Sequence, residues 1–202
     1  MVVNTTLFGR DGEGLVRCFI MSKGRIIVEV GALGDKGLHG HAPSLYVPNK
    51  GGYRLIAPDL LTINPYVSPS LWTKDSIWEF PFAWFEVKHK STATFYRKKQ
   101  RWQTGIDRRL YQHYCQVDQD TQIPVWLLFL HQDYVRTKPL MAPDCPTGLY
   151  GCPITQPYSD DWKDDSYEKK GYRDMVYWGI EELLQLATLE QVFAASKETV
   201  PA

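Results

Sequence analysis

The chain has 202 residues, 44% of them hydrophobic and 13% aromatic, and its 23 Lys and Arg cancel its 23 Asp and Glu. This composition excludes a disordered tail, a collagen-like fibre and a coiled coil, and the cancelled charge means that any polyanion site must be a local patch. The length predicts a single domain over 1–202, able to bury a core without staples, and 132–202 reads as a loop-rich C-terminal extension that carries a terminal helix. The opening MVVNTTLFGRDGEG has neither a basic nor an apolar signal region, and the longest apolar run, 125–130, falls far short of the ~20 residues that span a bilayer. Cys18, Cys115, Cys145 and Cys152 are too scattered for a disulfide framework. A cytoplasmic protein with reduced thiols and no membrane partner is expected.

Apolar residues at helical spacing predict a first helix over 13–23, capped by Asp11 and ended by Gly24. RIIVEV, 25–30, reads as a strand. Residues 31–52 read as a glycine-rich loop with a short strand at 45–47, and a second extended region covers 53–63 around Ala57-Pro58-Asp59-Leu60. After a loop at 64–73, WFEVKHK (84–90) alternates as a strand should. A helix is predicted over 104–117, with Ile106, Leu110, Tyr114 and Val117 on one face, followed by a buried strand over 123–130. The stretch 137–165 is rich in Pro, Gly and Asp and shows little pattern; a short strand at 175–178 and a helix at 179–187 follow. The order α-β-β-β-α-β favours a mixed sheet with helices on its faces.

The chemistry centres on WFEVKHK. Strand alternation puts Glu86, Lys88 and Lys90 on one face and Phe85, Val87 and His89 on the other. A carboxylate and an ammonium among apolar neighbours cost desolvation energy unless something uses them. With Asp59 upstream, the set is two carboxylates and a lysine, which suits metal-assisted phosphodiester hydrolysis. The carboxylates hold a hard cation such as Mg2+, and the lysine steadies a water or the developing charge. The bland alternative is a solvated Glu–Lys pair on a surface strand.

Pro58-Asp59, then 26 residues, then Glu86-Val87-Lys88, set within that element order, resembles the PD-(D/E)XK nuclease superfamily. The resemblance spans roughly 9–131. It implies an α/β, restriction-endonuclease-like core and a metal-dependent deoxyribonuclease, an endonuclease that leaves a 5′-phosphate. It also implies Mg2+, with Mn2+ as a substitute, held by Asp59, Glu86 and the Val87 main-chain carbonyl, with Lys88 in the lysine position. Glu13 matches the helix acid that orients the metal's water shell in many relatives, and reads equally as a charge favoured at a helix N-terminus. Asp75 is a rival for Asp59. RecB-like relatives carry Gln-x-x-x-Tyr on the following helix; Leu110-Tyr111-Gln112-His113-Tyr114 departs from it, and Tyr114 reads as core. The resemblance leaves DNA against RNA open, and likewise a homodimer, a helicase or a recombination partner, or a catalytically inactive module that binds nucleic acid or protein.

Between 88 and 109 lie eight basic residues and one acid, interleaved with Phe95, Tyr96 and Trp102. Lys90, Arg97, Lys98, Lys99, Arg101, Arg108 and Arg109 are therefore candidates for gripping a phosphate backbone, against the alternative of a solvated loop and helix face. From 159 to the end, ten acids face five bases. His39 and His41 read as solvated loop residues, Trp126 and Trp178 as core, and Cys145 and Cys152 as unligated thiols.

Overall fold

WFEVKHK lies at the heart of the fold. The structure, a computed structural model, describes residues 5–28, 55–67, 77–132, 145–162 and 174–199. Strand β3 (Phe82–Lys90) contains the motif. It pairs antiparallel with β2 (Leu60–Ile63), which pairs antiparallel with β1 (Ile26–Val28), and it pairs parallel with β6 (Val125–His131). All seven residues of β6 are buried, as a continuous apolar run in a parallel pair requires. Antiparallel β7 (Gly148–Pro153) and β10 (Leu184–Ala187) extend this sheet beyond β6, giving the order β1-β2-β3-β6-β7-β10. A second sheet, β4-β5-β9-β8, combines the hairpin of β4 (Thr94–Tyr96) and β5 (Arg101–Asp107) with β9 (Met175–Gly179) and β8 (Asp160–Trp162).

The helices divide the core in two. On one face of the central sheet, Val16, Phe19 and Ile20 of α1 (Thr5–Ser22) and Val192 and Ala195 of α3 (Leu189–Thr199) cluster with Phe85, Val87, Leu128 and Leu130. On the other, Tyr114 and Val117 of α2 (Arg108–Thr121) join Ile106, Val176 and Trp178 of the second sheet over Trp84, Leu127 and Phe129. Full burial of such side chains contributes roughly 1.5–3 kcal/mol each. The fold is thus mixed α/β, a central mixed sheet with helices on its faces. The α-β-β-β-α-β order expected of a restriction-endonuclease-like core is present, with the β4–β5 hairpin inserted before α2. Among the described residues no helix is long and apolar enough to cross a membrane.

Several local expectations are corrected. Helix α1 begins at Thr5 rather than near 13 and runs through Gly12, whose absent side chain lets the helix backbone meet His89; an added Cβ would lie 2.0 Å from the imidazole Cγ. Residues 104–107 are strand, not helix, because Thr104 and Ile106 pair with Trp178 and Val176. Asp107 then caps α2 by accepting the Arg109 N–H at 2.8 Å. Asp118 does not stop that helix, which continues to Thr121 and ends at Gln122 in the left-handed region, φ 56°. The 137–165 stretch holds β7 and β8, and 179–187 forms a 3-10 turn (Ile180–Glu182) and β10 instead of a helix; the terminal helix is α3. The expected elements at 31–52 lie outside the described residues.

Gly12→Ala is expected to destabilise the protein by roughly 1–3 kcal/mol, as overpacking does. It should lower the urea midpoint at unchanged m. An unchanged midpoint would contradict the close seating of α1 on His89.

Candidate active site

The β2–β3 ladder ends at the pair Leu60 and Phe85, and the functional side chains gather where the two strands part. Asp59, one residue before β2, accepts the Val87 N–H through Oδ2 at 2.9 Å. In return Glu86 Oε2 accepts the Asp59 N–H at 3.3 Å. The two carboxylates thus take the place of the next backbone hydrogen bonds. Lys88, on the same strand face, forms an ion pair with Glu86 Oε1. Odd-numbered residues of β3 turn their backbone groups toward β2 and even-numbered ones toward β6, as the Trp84 N–H to Pro124 carbonyl bond and the Gln132 N–H to Lys90 carbonyl bond show. Because the N–H and C=O of one strand residue point the same way, the Val87 carbonyl faces the Asp59 side, past the last paired residue of β2.

Burial dominates the electrostatics. Glu86 is 1% exposed, and burial, followed by the charge of Asp59, pushes its carboxyl up to about 7 against the opposing pull of Lys88 and a hydrogen bond from Tyr114. For Lys88, burial works to lower the pKa, but Glu86 and then Asp59 offset it and the ammonium is held above its ordinary value. Lys88 remains 30% exposed, so it faces both the carboxylates and solvent. Glu13 is raised by burial and then by Asp59.

Asp59, Glu86, Lys88 and the Val87 main chain are therefore brought together. Glu13 stands beside them but inside α1, past its first turns, so its reading as an N-terminal helix charge fails; Arg17 donates to it at 3.2 Å. Asp75 lies outside the described residues. Tyr114, expected only as core, is 2% exposed and also reaches Glu86 with its hydroxyl. A tyrosine on the buried face of a helix needs a partner for its O–H, and that requirement is the signal by which the sequence could have revealed this contact.

The basic run is divided by the fold. Arg97, Lys98 and Lys99 sit in the exposed turn between β4 and β5. Lys99 and Arg101 both form ion pairs with Asp160, and Arg101 also faces Glu182 at 3.0 Å and Glu181 at 3.6 Å. The Arg108 guanidinium lies over the Tyr158 ring, 5.6 Å from its centroid, while Arg109 is exposed. Lys90 turns inward and donates to the Gly105 carbonyl at 2.7 Å. Nearby His131 is fully buried, with Nε2 3.1 Å from Thr104 Oγ1, and burial, then Lys90 and His89, bring its pKa down to about 4.

Among the described residues no group of three or more His, Cys, Asp or Glu side chains is arranged to hold a metal ion. The site offers two carboxylates, Asp59 and Glu86, and a main-chain carbonyl. That oxygen-only set suits Mg2+, which takes one or two carboxylates and keeps several waters. The mutual repulsion that helps raise Glu86 is what a divalent cation would relieve, so these residues fit such an ion.

Glu86 also predicts how stability depends on pH. Its folded pKa of about 7 exceeds the ordinary 4.5, so the metal-free folded state binds more protons than the unfolded chain between those values. The stabilisation is full below about pH 4.5 and is lost as pH rises through about 7. Glu86→Gln should therefore raise metal-free stability at pH 8 by about 1–3 kcal/mol, a gain of several degrees in Tm that closes by pH 5. Parallel Tm curves for both proteins across that range would contradict this account.

No family model and no curated protein matches the chain. Among solved structures, it is similar to that of Archaeoglobus fulgidus Hjc, a Holliday junction resolvase from an archaeal hyperthermophile. The match covers 93% of this chain and 99% of that one, at 8% identity and a TM-score of 0.46.

Proposed function

We propose that the protein is a Mg2+-dependent deoxyribonuclease that hydrolyses phosphodiester bonds as an endonuclease. The observation that carries this reading is the pair of bonds in which Asp59 Oδ2 accepts the Val87 N–H and Glu86 Oε2 accepts the Asp59 N–H, which brings two carboxylates together, with Lys88 beside Glu86 and open to solvent. Asp59, Glu86 and the Val87 carbonyl would hold Mg2+, or Mn2+ in its place. When bound, the ion polarises the scissile phosphate and lowers the pKa of a coordinated water. Lys88 donates to the water that attacks phosphorus and to the charge that grows on the phosphoryl oxygens. As the water oxygen bonds to phosphorus and its proton passes to solvent, the P–O3′ bond breaks, O3′ leaves as a hydroxyl with a proton from solvent, and a 5′-phosphate is left. Glu13, beside Asp59, accepts hydrogen bonds from water at the rim of the site. Among the exposed members of the basic run, Arg97, Lys98 and Arg109 meet the substrate backbone, while Lys99 is paired with Asp160.

One observation favours a second reading. Both oxygens of Glu86 already have partners within the protein, Lys88 on one and the Asp59 N–H on the other. A satisfied network of this kind also suits a catalytically inactive module that binds nucleic acid or protein.

Plasmid and linear, branched and single-stranded DNA, each with Mg2+, Mn2+ or EDTA, separate the two. The enzyme is expected to cut only with metal, and Asp59→Ala, Glu86→Ala and Lys88→Ala should each lower the rate roughly 100-fold or more. Mn2+ should also raise the Tm of the wild type but not of Glu86→Ala. No cutting of any substrate with either metal, together with a Tm that Mn2+ leaves unmoved, would establish the inactive module.

A further inference from the structure

Lys90 is the third charged residue on the Glu86–Lys88 face of β3, roughly 6.6 Å further along the strand than Lys88. Charged groups withdrawn from water are almost always paired. Lys90 has no ion-pair partner among the described residues. Its acceptor is neutral, the Gly105 carbonyl, which leaves two of its three N–H donors without an acceptor among the described residues. Its surroundings disfavour a cation further: burial and then Lys88 bring its pKa down to about 8. The side chain nevertheless keeps partial contact with solvent. Arg101, Lys99 and Lys88, by contrast, have carboxylate partners, and buried Arg25 spreads its donors over the Thr62 hydroxyl and the Trp78 and Phe80 carbonyls.

We propose that Lys90 is a phosphate-binding residue, completing its coordination with the backbone phosphate next to the one held at Asp59, Glu86 and Lys88. The proposal deepens the nuclease reading and rests on it for the identity of the neighbouring phosphate. The anion replaces neither Glu86 nor the Gly105 carbonyl as a partner; it takes the unused ammonium donors and supplies the counter-charge that Lys90 lacks among the described residues.

The test is fluorescence anisotropy of a labelled 20-base-pair duplex in EDTA, from 50 to 200 mM KCl, with wild type, Lys90→Met and Lys90→Arg. The slope of log K against log salt should fall by about one in Lys90→Met, with affinity down several-fold, and Lys90→Arg should restore the slope. Inorganic phosphate, added as a separate arm, should raise the wild-type Tm and leave that of Lys90→Met unmoved. An unchanged slope together with a lowered Tm in Lys90→Met would mean that the ammonium merely ties β3 to β5, and would overturn the inference. A phosphate-dependent Tm without a change in DNA slope would assign a free-phosphate site and overturn the backbone assignment. Failure of the wild type to bind the duplex overturns it too. Failure of the nuclease reading alone would look different: the Lys90-dependent slope would persist in a protein that cuts nothing.

Discussion

The buried carboxylate of Glu86 sets the terms for the structure around it. An ion moved from water into a protein interior carries a penalty of several kcal/mol, and a paired buried charge is often no better for stability than an apolar residue of the same size. Strand β3 accepts that penalty at its centre, next to a second carboxylate. Lys88 and the Tyr114 hydroxyl each reduce the cost, yet the net shift of the Glu86 pKa is still upward, to about 7. Here the strand breaks the local rule of burying only satisfied, uncharged groups, and such breaks concentrate where chemistry is done.

The rest of the fold isolates that place. On the far face of β3, Phe85 and Val87 lie in an apolar layer closed by α1 and α3, and Gly12 allows α1 to approach as near as the His89 ring. On the near face, α2 brings Tyr114, and the second sheet supplies the Gly105 carbonyl that fixes Lys90. The strands part at Asp59 because its carboxylate occupies the N–H that β2 would otherwise have bonded. The opening between β2 and β3 is therefore a product of the same residues that fill it.

The face assignment of Glu86, Lys88 and Lys90, the strands at β3 and β6 and the order of elements were legible in the sequence, because each follows from a local period of two or 3.6. What was hidden depended on residues far apart along the chain. The glycines of 137–165 read as loop, yet Gly151 sits in β7 because Leu186 and Leu128 leave no space for a Cβ there. Residues 104–107 fit a helical face equally well until β9 pairs with them. The basic run looked like one cationic surface because Asp160, Glu181 and Glu182, which neutralise Lys99 and Arg101, arrive from more than fifty residues downstream.

That last point changes how charge should be weighed here. A count along the chain credits every Lys and Arg between 88 and 109 equally, but the fold gives them different electrostatic surroundings. Arg101 is enclosed by carboxylates, so an approaching polyanion would have to compete with them and would gain little. Lys98 and Arg109 are exposed and largely screened at physiological salt beyond about 8 Å, so they attract without specifying position. A cation partly withdrawn from water, like Lys90, is less screened and holds its position through the Gly105 carbonyl. In the proposed reading it is the side chain whose unbalanced charge, rather than its place in a basic run, matches a phosphate.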